Sequence, residues 1–509
     1  MIDHAAPART SSVPARDVRA VEHFDVVIVG AGLSGIGAAC HLRTELPSKS
    51  FIILEGRSVM GGTWDLFRYP GVRSDSDMFT LGYRFRPWRE AKAIADGPSI
   101  LNYIRETARE FGVDRLIRYG HQVKRASWSS DQAAWMIEAT LANGQTARFT
   151  THFLYMCSGY YDYEEGYLPG WPGRDRYTGR IVHPQRWPED LDYEGKRIVV
   201  IGSGATAVTL VPALASSAAH VAMLQRSPTY IVARPSQDTI ANWLRRRLPA
   251  QLAHGLIRWK NVLLGMYFYS LARRKPGETK KMILKLAQKQ LPADYDVGKH
   301  LSPRYDPWDQ RLCLIPDADL FSAIRSGRVS IVTDEIRTFT ETGIHLESGD
   351  ELKADIIVTA TGLKLKLLGG MEVVVDGAPV DPARAMSYKG TMFSEIPNLA
   401  STFGYINASW TLKADLTADY ICRLLKYMDA HGYDCATPRR RDPSIVEQPA
   451  VNFTSGYIQR ARDVLPKQGS KKPWRLHQNY ALDMLDLRFS PIDDGTMEFR
   501  RPRSARRAV

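Results

Sequence analysis

The stretch Phe24-Asp-Val-Val-Ile-Val-Gly30-Ala-Gly32-Leu-Ser-Gly35 decides the fold of this chain. It begins with a short apolar run, which is typical of a strand buried inside a parallel sheet. The segment that follows, Ile36 to Leu46, is rich in Ala and Leu and predicts a helix. The three glycines serve a tight turn, close approach of a pyrophosphate and close packing of the helix on the strand. The stretch therefore predicts a dinucleotide-binding α/β domain, with phosphates at the helix N-terminus.

The next predicted strand ends in an acid at the position where such domains bind ribose. Glu55 lies 20 residues past Gly35 and follows the apolar run Phe51 to Leu54. A carboxylate there accepts hydrogen bonds from ribose hydroxyls and disfavours a 2′-phosphate, so the ligand is FAD or NAD rather than NADP. The segment Gly61-Gly62-Thr63-Trp64 allows a flat ring system to approach the backbone. The alternative is a Gly-rich loop that binds no ligand.

A second glycine-rich loop carries the opposite charge. The stretch Arg197-Ile-Val-Val-Ile-Gly202-Ser-Gly204-Ala-Thr-Ala207 repeats the strand–turn–helix pattern, with Ala207 in place of the third glycine. The following predicted strand ends in Arg226 and Ser227, where the first site has an acid. An arginine can bind a phosphate through two hydrogen bonds, so we expect NADPH here. The alternative is a surface arginine with no ligand.

Size and cysteine pattern limit the class of protein. A chain of 509 residues has room for two or three domains, and no apolar run reaches the roughly 18–20 residues that span a bilayer. The segment 1–20 lacks the apolar core of a signal peptide, so we expect a mobile tail on a cytoplasmic protein. Five cysteines without a C-x-x-C spacing argue against a disulfide framework, a redox dithiol and a zinc site.

The net charge is +13, and arginines cluster at Arg245–Arg247 and after residue 499. We favour a solvated basic surface that attracts an anionic cofactor, and the alternative is peripheral contact with an acidic membrane. No nucleic-acid-binding motif accompanies the charge, so we expect no nucleic-acid partner. Residues 239–291 predict a helical insertion. Its apolar part, 261–272, could lie on a membrane, but we favour packing on the second dinucleotide domain.

A segment between the two loops points to a family. Tyr177-Thr-Gly179-Arg-Ile-Val-His183-Pro-Gln-Arg-Trp187-Pro188 resembles the fingerprint of the Baeyer–Villiger flavin monooxygenases, Phe-x-Gly-x-x-x-His-x-x-x-Trp-Pro/Asp, with Tyr177 in place of Phe. The segments 308–313 and 407–413 are most similar to the ethionamide-activating branch of that family. The resemblance extends from about residue 21 to residue 433.

The resemblance implies an activity and a set of roles. NADPH would reduce FAD, and reduced flavin and oxygen would give a flavin peroxide that converts ketones to esters or lactones and also oxidises sulfur compounds. Arg311 would be the catalytic arginine and would contact the nicotinamide, and Asp75 would hold it. Their alternative is a structural ion pair. His183 would couple domain movement rather than transfer a proton, and Trp410 would stack on a ligand or simply be buried. Gln310 replaces a lysine of many relatives.

The predicted architecture is α/β, with two Rossmann-like domains for FAD and NADP and a helical insertion in the NADP domain. The expected ranges are 1–20 (mobile tail), 21–158 and 363–495 (FAD domain), 159–235 and 305–362 (NADP domain with the fingerprint linker), 236–304 (insertion) and 496–509 (basic tail). The candidate FAD-binding residues are Gly30, Gly32, Gly35, Glu55, Gly62, Thr63, Trp64 and Asp75. The candidate NADP-binding residues are Gly202, Ser203, Gly204, Thr206, Ala207, Arg226, Ser227 and Arg311, and the domain-coupling residues are Tyr177, Gly179, His183 and Trp187.

Four other functions are alternatives at this point. A flavin-containing monooxygenase that oxygenates nitrogen or sulfur would share both nucleotide sites, although such relatives usually lack the fingerprint tryptophan found here as Trp187. A disulfide reductase would need the missing C-x-x-C motif, and a quinone reductase would oxidise NADPH without oxygen. A non-enzymatic NADP sensor would bind both cofactors without reducing the flavin.

Overall fold

A computed structural model describes residues 21–451 and 453–501 of the chain. The predicted N-terminal tail, 1–20, lies outside the described residues, as do Asn452 and residues 502–509. Within the described part the chain forms 27 strands and 13 α-helices.

The strands before the helical insertion are β1 (Glu22–Val29), β2 (Phe51–Leu54), β3 (Ile117–Arg118), β4 (His121–Ser129), β5 (Ala134–Leu141), β6 (Thr146–Met156), β7 (Tyr161–Gly166), β8 (Arg180–Val182), β9 (Arg197–Ile201), β10 (His220–Gln225) and β11 (Ile231–Arg234). The later strands are β12 (Cys313–Pro316), β13 (Val329–Thr333), β14 (Ile336–Phe339), β15 (Gly343–Leu346), β16 (Glu351–Lys353), β17 (Ile356–Thr359), β18 (Leu363–Leu365), β19 (Glu372–Val375), β20 (Ala378–Val380), β21 (Ser387–Tyr388), β22 (Met392–Phe393), β23 (Leu399–Ser401), β24 (Cys435–Pro438), β25 (Glu447–Pro449), β26 (Lys467–Gly469) and β27 (Met497–Arg500).

The helices are α1 (Leu33–Glu45), α2 (Thr63–Leu66), α3 (Met78–Leu81), α4 (Gly97–Glu110), α5 (Ala205–Leu214), α6 (Thr239–Arg247), α7 (Ala250–Arg274), α8 (Pro276–Gln288), α9 (Val297–Leu301), α10 (Asp319–Arg325), α11 (Trp410–His431), α12 (Gly456–Arg460) and α13 (Tyr480–Met484). Helix α1 begins three residues earlier than expected, because Gly32 is the extended cap residue that precedes it.

The first sheet is built around β1. Strand β1 pairs in parallel with β2 and β6, and antiparallel strands and later segments of the chain extend the sheet to 11 strands. Val26 and Ile28 join the hydrophobic cluster on one face of the sheet, whereas Val27 and Val29 join the cluster on the other. Because both faces of β1 are covered, the strand needs the continuous apolar run that marks it in the sequence.

The second sheet has the order β13-β10-β9-β17-β8 and is parallel throughout. Strand β9 follows the same plan as β1, since a glycine loop and a helix, α5, come directly after it. Part of the fingerprint segment, Arg180–Val182, is the edge strand β8 of this sheet. The predicted α/β fold with two Rossmann-like units is confirmed.

The helical insertion, α6 to α9, lies between β11 and β12, which pair with each other in parallel. Ala287 packs in the core of the second sheet, as expected. Helix α7 departs from the expectation, because Ala253 and Ile257 pack in the core of the first domain. The cause is an ion pair that joins Arg258 of α7 to Asp415 of α11 at 3.1 Å. Among the described residues, no helix combines the length and apolar character needed to cross a membrane.

The C-terminal boundary is a correction. The range 496–509 was expected to be a basic tail, but Met497–Arg500 form β27, which pairs antiparallel with β24. The alternation of the strand explains this, since Met497 is buried and Phe499 packs against the first domain's core. Arg500, counted above among the tail arginines, forms an ion pair with Glu498. The other domain limits stay predictions.

Candidate active site at two nucleotide folds

The first glycine loop is packed too tightly for side chains. Gly30 has a φ of +103°, and a Cβ atom there would lie 2.6 Å from the carbonyl oxygen of Cys157. A Cβ on Gly35 would lie 1.8 Å from the carbonyl oxygen of Gly30. Gly32 caps α1 in an extended conformation. The loop therefore holds the N-terminus of α1 against the end of β1, where the first N–H groups of the helix can bind an anion.

Glu55 follows β2 directly and has a buried side chain that is fixed at both oxygens. The backbone N–H of Ala31 donates to its Oε2 at 2.7 Å, and the backbone N–H of Arg57 donates to its Oε1 at 2.9 Å. Burial raises the pKa of Glu55, although both hydrogen bonds oppose the rise. Each oxygen keeps a further lone pair that can accept a hydrogen bond from a ligand hydroxyl.

The paired glycines meet the first loop. Gly62 has a φ of +56°, and a Cβ atom there would lie 3.0 Å from the Cα of Gly32. The neighbouring Thr63 hydroxyl lies 3.3 Å from the hydroxyl of Tyr163. One cavity of about 600 Å³ is lined by Gly61, Gly62, Thr63 and Trp64, and we call it the nucleotide cavity. The close approach of the two loops forms one wall of this cavity.

Aromatic side chains form another wall, and sequence reasoning missed three of them. Tyr160, Tyr161 and Tyr163 follow β6 and line the nucleotide cavity. Tyr160 stacks on Trp410 with ring centroids 5.1 Å apart, and the Trp410 indole donates to the hydroxyl of Ser34 at 2.7 Å. The available signal was their position, since β6 pairs in parallel with β1 and both strands end at the same sheet edge.

The second glycine loop is more open. Gly202 has a φ of +137°, and a Cβ atom there would lie 2.3 Å from the carbonyl oxygen of Ala360. The Ser203 hydroxyl donates to the backbone carbonyl of Ser227 at 3.0 Å. Arg226 follows β10 directly and is exposed, and no carboxylate in the described part of the chain pairs with it. A cation therefore stands free at the position that Glu55 occupies in the first site.

Asp75 and Arg311 form an ion pair with two contacts. The Arg311 Nη2 donates to Asp75 Oδ1 at 2.9 Å, and Arg311 Nε lies 2.7 Å from Asp75 Oδ2. Burial alone would lower the pKa of Arg311, but the carboxylate of Asp75 raises it above its usual value. Each side chain remains about one-third exposed (34%). Arg311 is therefore a fixed cation that still faces open space.

That open space is the junction of two cavities. Asp75 and Arg311 line the nucleotide cavity and also a second cavity of about 990 Å³, which we call the insertion cavity. Helices α7 and α8 contribute apolar residues to the insertion cavity, and Trp308, Ala408 and the segments 231–234 and 475–480 also line it. An apolar pocket of this volume suits a small organic ligand. The ion pair thus lies where such a ligand and a bound nucleotide would meet.

The fingerprint residues lie away from both cavities. The Tyr177 hydroxyl donates to the carbonyl of Ala354 at 3.0 Å, and a Cβ on Gly179 would lie 2.4 Å from that hydroxyl. The His183 Nδ1 accepts from the backbone N–H of Gln185 at 3.2 Å, and burial lowers the pKa of His183. Trp187 packs against the core of the second sheet.

The structure brings a large part of the predicted set together. The predicted residues that line the nucleotide cavity are Gly30, Gly32, Glu55, Gly62, Thr63, Trp64, Asp75, Thr206, Arg311 and Trp410. Gly35 and Ala207 are buried packing positions instead. Thr206 belongs to the second glycine loop, so its presence in this lining joins the two predicted sites.

An α/β chain with two nucleotide folds and a charged pair between two cavities defines the class of two-nucleotide oxidoreductases. The sequence matches the family described as flavin-binding monooxygenase-like over residues 93–375, and residues 28–91 match an NAD(P)-binding Rossmann-like domain. The chain belongs to the flavin-binding monooxygenase-like family. The prediction of a flavin monooxygenase is confirmed.

Curated relatives match nearly end to end. The chain is 56% identical over 483 residues to the FAD-containing monooxygenase EthA of Mycobacterium tuberculosis (strain ATCC 25618 / H37Rv). The match covers 94% of this chain and 99% of the relative. It is 54% identical over 485 residues to the FAD-containing monooxygenase EthA of Mycolicibacterium smegmatis, with coverage of 95% and 98%.

Solved structures share the fold at low identity. An oxidized steroid monooxygenase bound to NADP matches with a TM-score of 0.69 and 23% identity, over 82% of this chain and 87% of that chain. The cyclohexanone monooxygenase from Rhodococcus sp. Phi1 bound to NADP⁺ matches with a TM-score of 0.72 and 20% identity, over 95% of this chain and 100% of that chain. These structures support the two-domain fold described above.

Proposed function

We propose that this chain is an FAD-containing, NADPH- and oxygen-dependent Baeyer–Villiger monooxygenase, which converts ketones to esters or lactones and also oxidises sulfur compounds. The observation that carries the proposal is the Asp75–Arg311 ion pair at the junction of the nucleotide cavity and the insertion cavity. A buried structural ion pair would have no reason to face two cavities. A pair that acts on a cofactor and a substrate must do so.

The residues present fit FAD in the first site. The glycines of the first loop form a cradle that a Cβ atom would fill, and Glu55 offers carboxylate oxygens at the position where a ribose is recognised. Tyr160 and Trp410 give the cavity flat apolar walls. The curated relatives are named as FAD-containing, which agrees with this assignment.

The second loop fits NADPH. Arg226 has the free guanidinium that a 2′-phosphate requires, and Ser227 and Ser203 can add hydroxyl groups beside it. The steroid and cyclohexanone monooxygenase structures are described as bound to NADP. Gln310 contributes no charge, so selectivity for NADPH over NADH depends mainly on Arg226.

The chain's own groups define how the reaction is supported. Bound FAD would accept a hydride from NADPH and activate dioxygen. Arg311 supplies a fixed positive charge that stabilises negative charge as oxygen transfer proceeds, and such preorganised charge acts strongly in a dry site. Asp75 holds the guanidinium in one orientation through two contacts. The apolar side chains that α7 and α8 contribute to the insertion cavity would limit water near Arg311, which would protect the activated oxygen from unproductive release.

The test is oxygen-dependent turnover of a ketone. Purified yellow protein is given NADPH and a panel of cyclic and linear ketones, sulfides and amines, with and without oxygen, and products are identified by mass spectrometry. We expect esters or lactones, each with one oxygen atom from ¹⁸O₂, and sulfoxides from the sulfides. Oxides of amines or sulfides without any ester would favour an N- or S-oxygenating flavin monooxygenase. Oxidation of NADPH without oxygen would favour a quinone reductase.

A further inference from the structure

Helices α6, α7 and α8 expose large apolar side chains. The spacing of the exposed residues on α7 places five of them on one helical face: Leu252, Leu256, Trp259, Leu263 and Tyr267. Trp243 on α6 is 58% exposed and Tyr267 is 61% exposed. Contiguous apolar surface of this kind on a folded protein marks an interaction site. We call these residues, with Ile240, the apolar face.

The apolar face is held outward by the opposite side of α7. Ile257 and Val262 are buried in the first domain's core. Arg258 donates to the carbonyl of Phe79 at 3.0 Å and to that of Gly82 at 2.7 Å, in addition to its ion pair with Asp415. Because the inner side is anchored by packing and by charged hydrogen bonds, α7 cannot turn its exposed residues inward.

The charge around the apolar face is almost entirely positive. Residues 239–288 contain 11 Lys and Arg side chains and one acidic residue, Glu278. Five of the cations are exposed and have no carboxylate partner in the described part of the chain: Arg246, Arg247, Arg274, Lys281 and Lys285. An apolar face between unpaired cations is the pattern of a helix that lies in the headgroup region of an anionic bilayer.

The same surface continues into the insertion cavity. Leu264 and Phe268 on α7 and Met282 and Leu286 on α8 are exposed, and all four also line that cavity. Arg311 lines its inner end. A molecule that leaves an apolar phase at this surface could therefore reach the ion pair without crossing water.

We infer that the apolar face docks on an anionic lipid membrane and that the insertion cavity takes an apolar, lipid-dissolved substrate through the mouth between α7 and α8. A second copy of the chain on this face would oppose two strongly cationic surfaces. A nucleic acid would leave the leucines and tryptophans without a partner. A protein partner would cover the mouth. The substrate part of the inference, a long-chain ketone or thioether, rests on the proposed function, whereas the docking does not.

The docking test uses full-length, flavin-loaded protein and vesicles of phosphatidylcholine alone or with 30% phosphatidylglycerol. The apolar variant is Trp243→Ser/Leu256→Ser/Tyr267→Ser, and the charge variant is Arg246→Glu/Arg247→Glu. The matched control is Arg328→Glu/Arg337→Glu, which makes the same charge change at exposed arginines near β13 and in β14. We expect cosedimentation with the anionic vesicles only, weakened at least about tenfold in both variants and unchanged in the control.

Three results would overturn the docking. They are no binding of wild-type protein to anionic vesicles, equal loss of binding in the control, and a dimer in light scattering that the apolar variant abolishes while vesicles stay unbound. Flavin absorbance of each variant reports that the fold is intact. The Ser and Glu variants change exposed side chains only, so failure to fold in one leaves the other as the test.

The substrate test separates this inference from the proposed function. A water-soluble cyclic ketone and a long-chain ketone dissolved in anionic vesicles are compared as substrates. We expect the charge variant to keep its rate on the soluble ketone and to lose at least about fivefold on the vesicle-borne one. Equal rates of the variant and wild type on the vesicle-borne ketone would overturn membrane delivery. No ester from either ketone in wild-type protein would instead contradict the proposed function.

Discussion

The two glycine loops have the same backbone conformation but differ in the residues that surround them. Gly32 and Gly204 cap α1 and α5 with nearly the same dihedral angles, φ −80° and ψ −172° against φ −79° and ψ −176°. The residue after the second strand is the buried Glu55 in the first unit and the exposed Arg226 in the second. One local geometry thus serves two ligand chemistries, because charge and burial beyond the loop select the ligand.

Burial also explains a difference in how the two ligands are held. The first loop, the paired glycines and the tyrosines enclose the nucleotide cavity from several sides. The second loop leaves Gly204 and Arg226 exposed. A ligand that stays bound through many turnovers benefits from enclosure, whereas one that is consumed in each turnover must leave. The enclosed site therefore suits the resident flavin and the open site suits the nicotinamide.

The largest expected effect comes from exchanging the third position of the two loops. A Cβ on Gly35 would lie 1.8 Å from the Gly30 carbonyl oxygen, so Gly35→Ala must displace α1 from β1. We expect loss of bound FAD and a free energy of unfolding lower by about 3 kcal/mol, as for overpacked cores. The reciprocal change, Ala207→Gly, should cost only about 1 kcal/mol and keep FAD.

Flavin absorbance after desalting and chemical denaturation measure both variants. If Gly35→Ala retains stoichiometric FAD and wild-type stability, the close packing assigned to the first loop is wrong. Equal damage from Ala207→Gly would remove the difference between the loops.

The second effect concerns the ion pair at the junction of the nucleotide cavity and the insertion cavity. Arg311→Ala should keep FAD, because the glycine cradle and Glu55 are untouched, but should lower ester formation by about 100- to 1000-fold. Arg311→Lys is the matched control that keeps the charge and loses the two-point contact with Asp75, and we expect an intermediate rate. Product formation is measured together with NADPH oxidation, since uncoupled oxidation would show that reduction survives. Ester formation at the wild-type rate in Arg311→Ala would contradict the assigned role.

The third effect is expected only at the second glycine loop, where NADPH is proposed to bind. Arg226→Ala removes the only charge proposed to contact the 2′-phosphate, so we expect the KM for NADPH to rise about 10- to 100-fold and the KM for NADH to change little. Arg337→Ala removes an equally exposed arginine elsewhere in the same domain and serves as the control. Parallel rises in both KM values would count against a phosphate contact.

These variants rest on features that the sequence already predicts, because the residues of each nucleotide-binding unit lie close together along the chain. A strand, its glycine turn, its helix and the next strand's last residue lie within about 30 residues, so one βαβ unit contains the whole nucleotide pattern. Glu55 and Arg226 were identified in this way. The resemblance to a known family supplied Asp75 and Arg311, which are 236 residues apart and which no local pattern joins.

The features that the sequence did not predict depend on distant partners. Tyr160 and Trp410 stack across 250 residues of chain, and the partner of a ring does not follow from its own neighbours. Helix α7 has apolar residues on both sides, so its pattern does not tell which side is buried. Arg258 decides that question through Asp415, 157 residues away. The strand β27 was missed because the arginines from Arg500 onward suggested a solvated tail, whereas pairing with β24 uses the backbone.

The smallest effect tests whether His183 couples the two nucleotide-binding domains. His183 lines neither cavity, and its Nδ1 accepts the backbone N–H of Gln185, so its neutral form is the one the fold uses. Burial lowers its pKa below the ordinary value near 6.5. In the pH range between the lowered and the ordinary pKa the unfolded chain binds more protons than the native one, so the free energy of unfolding falls as the pH drops.

His183→Asn keeps a side-chain acceptor for Gln185 and removes the titration. We therefore expect the melting temperature of the variant to fall less than that of wild type between pH 7.5 and pH 5.5, with His345→Asn on β15 as the control. A residue that couples the domains would change NADPH consumption per ester formed and leave the shape of the pH–rate profile intact. A residue that transfers a proton would instead remove one limb of that profile. Loss of a limb would therefore place His183 in the chemistry and would contradict its role in coupling the two domains.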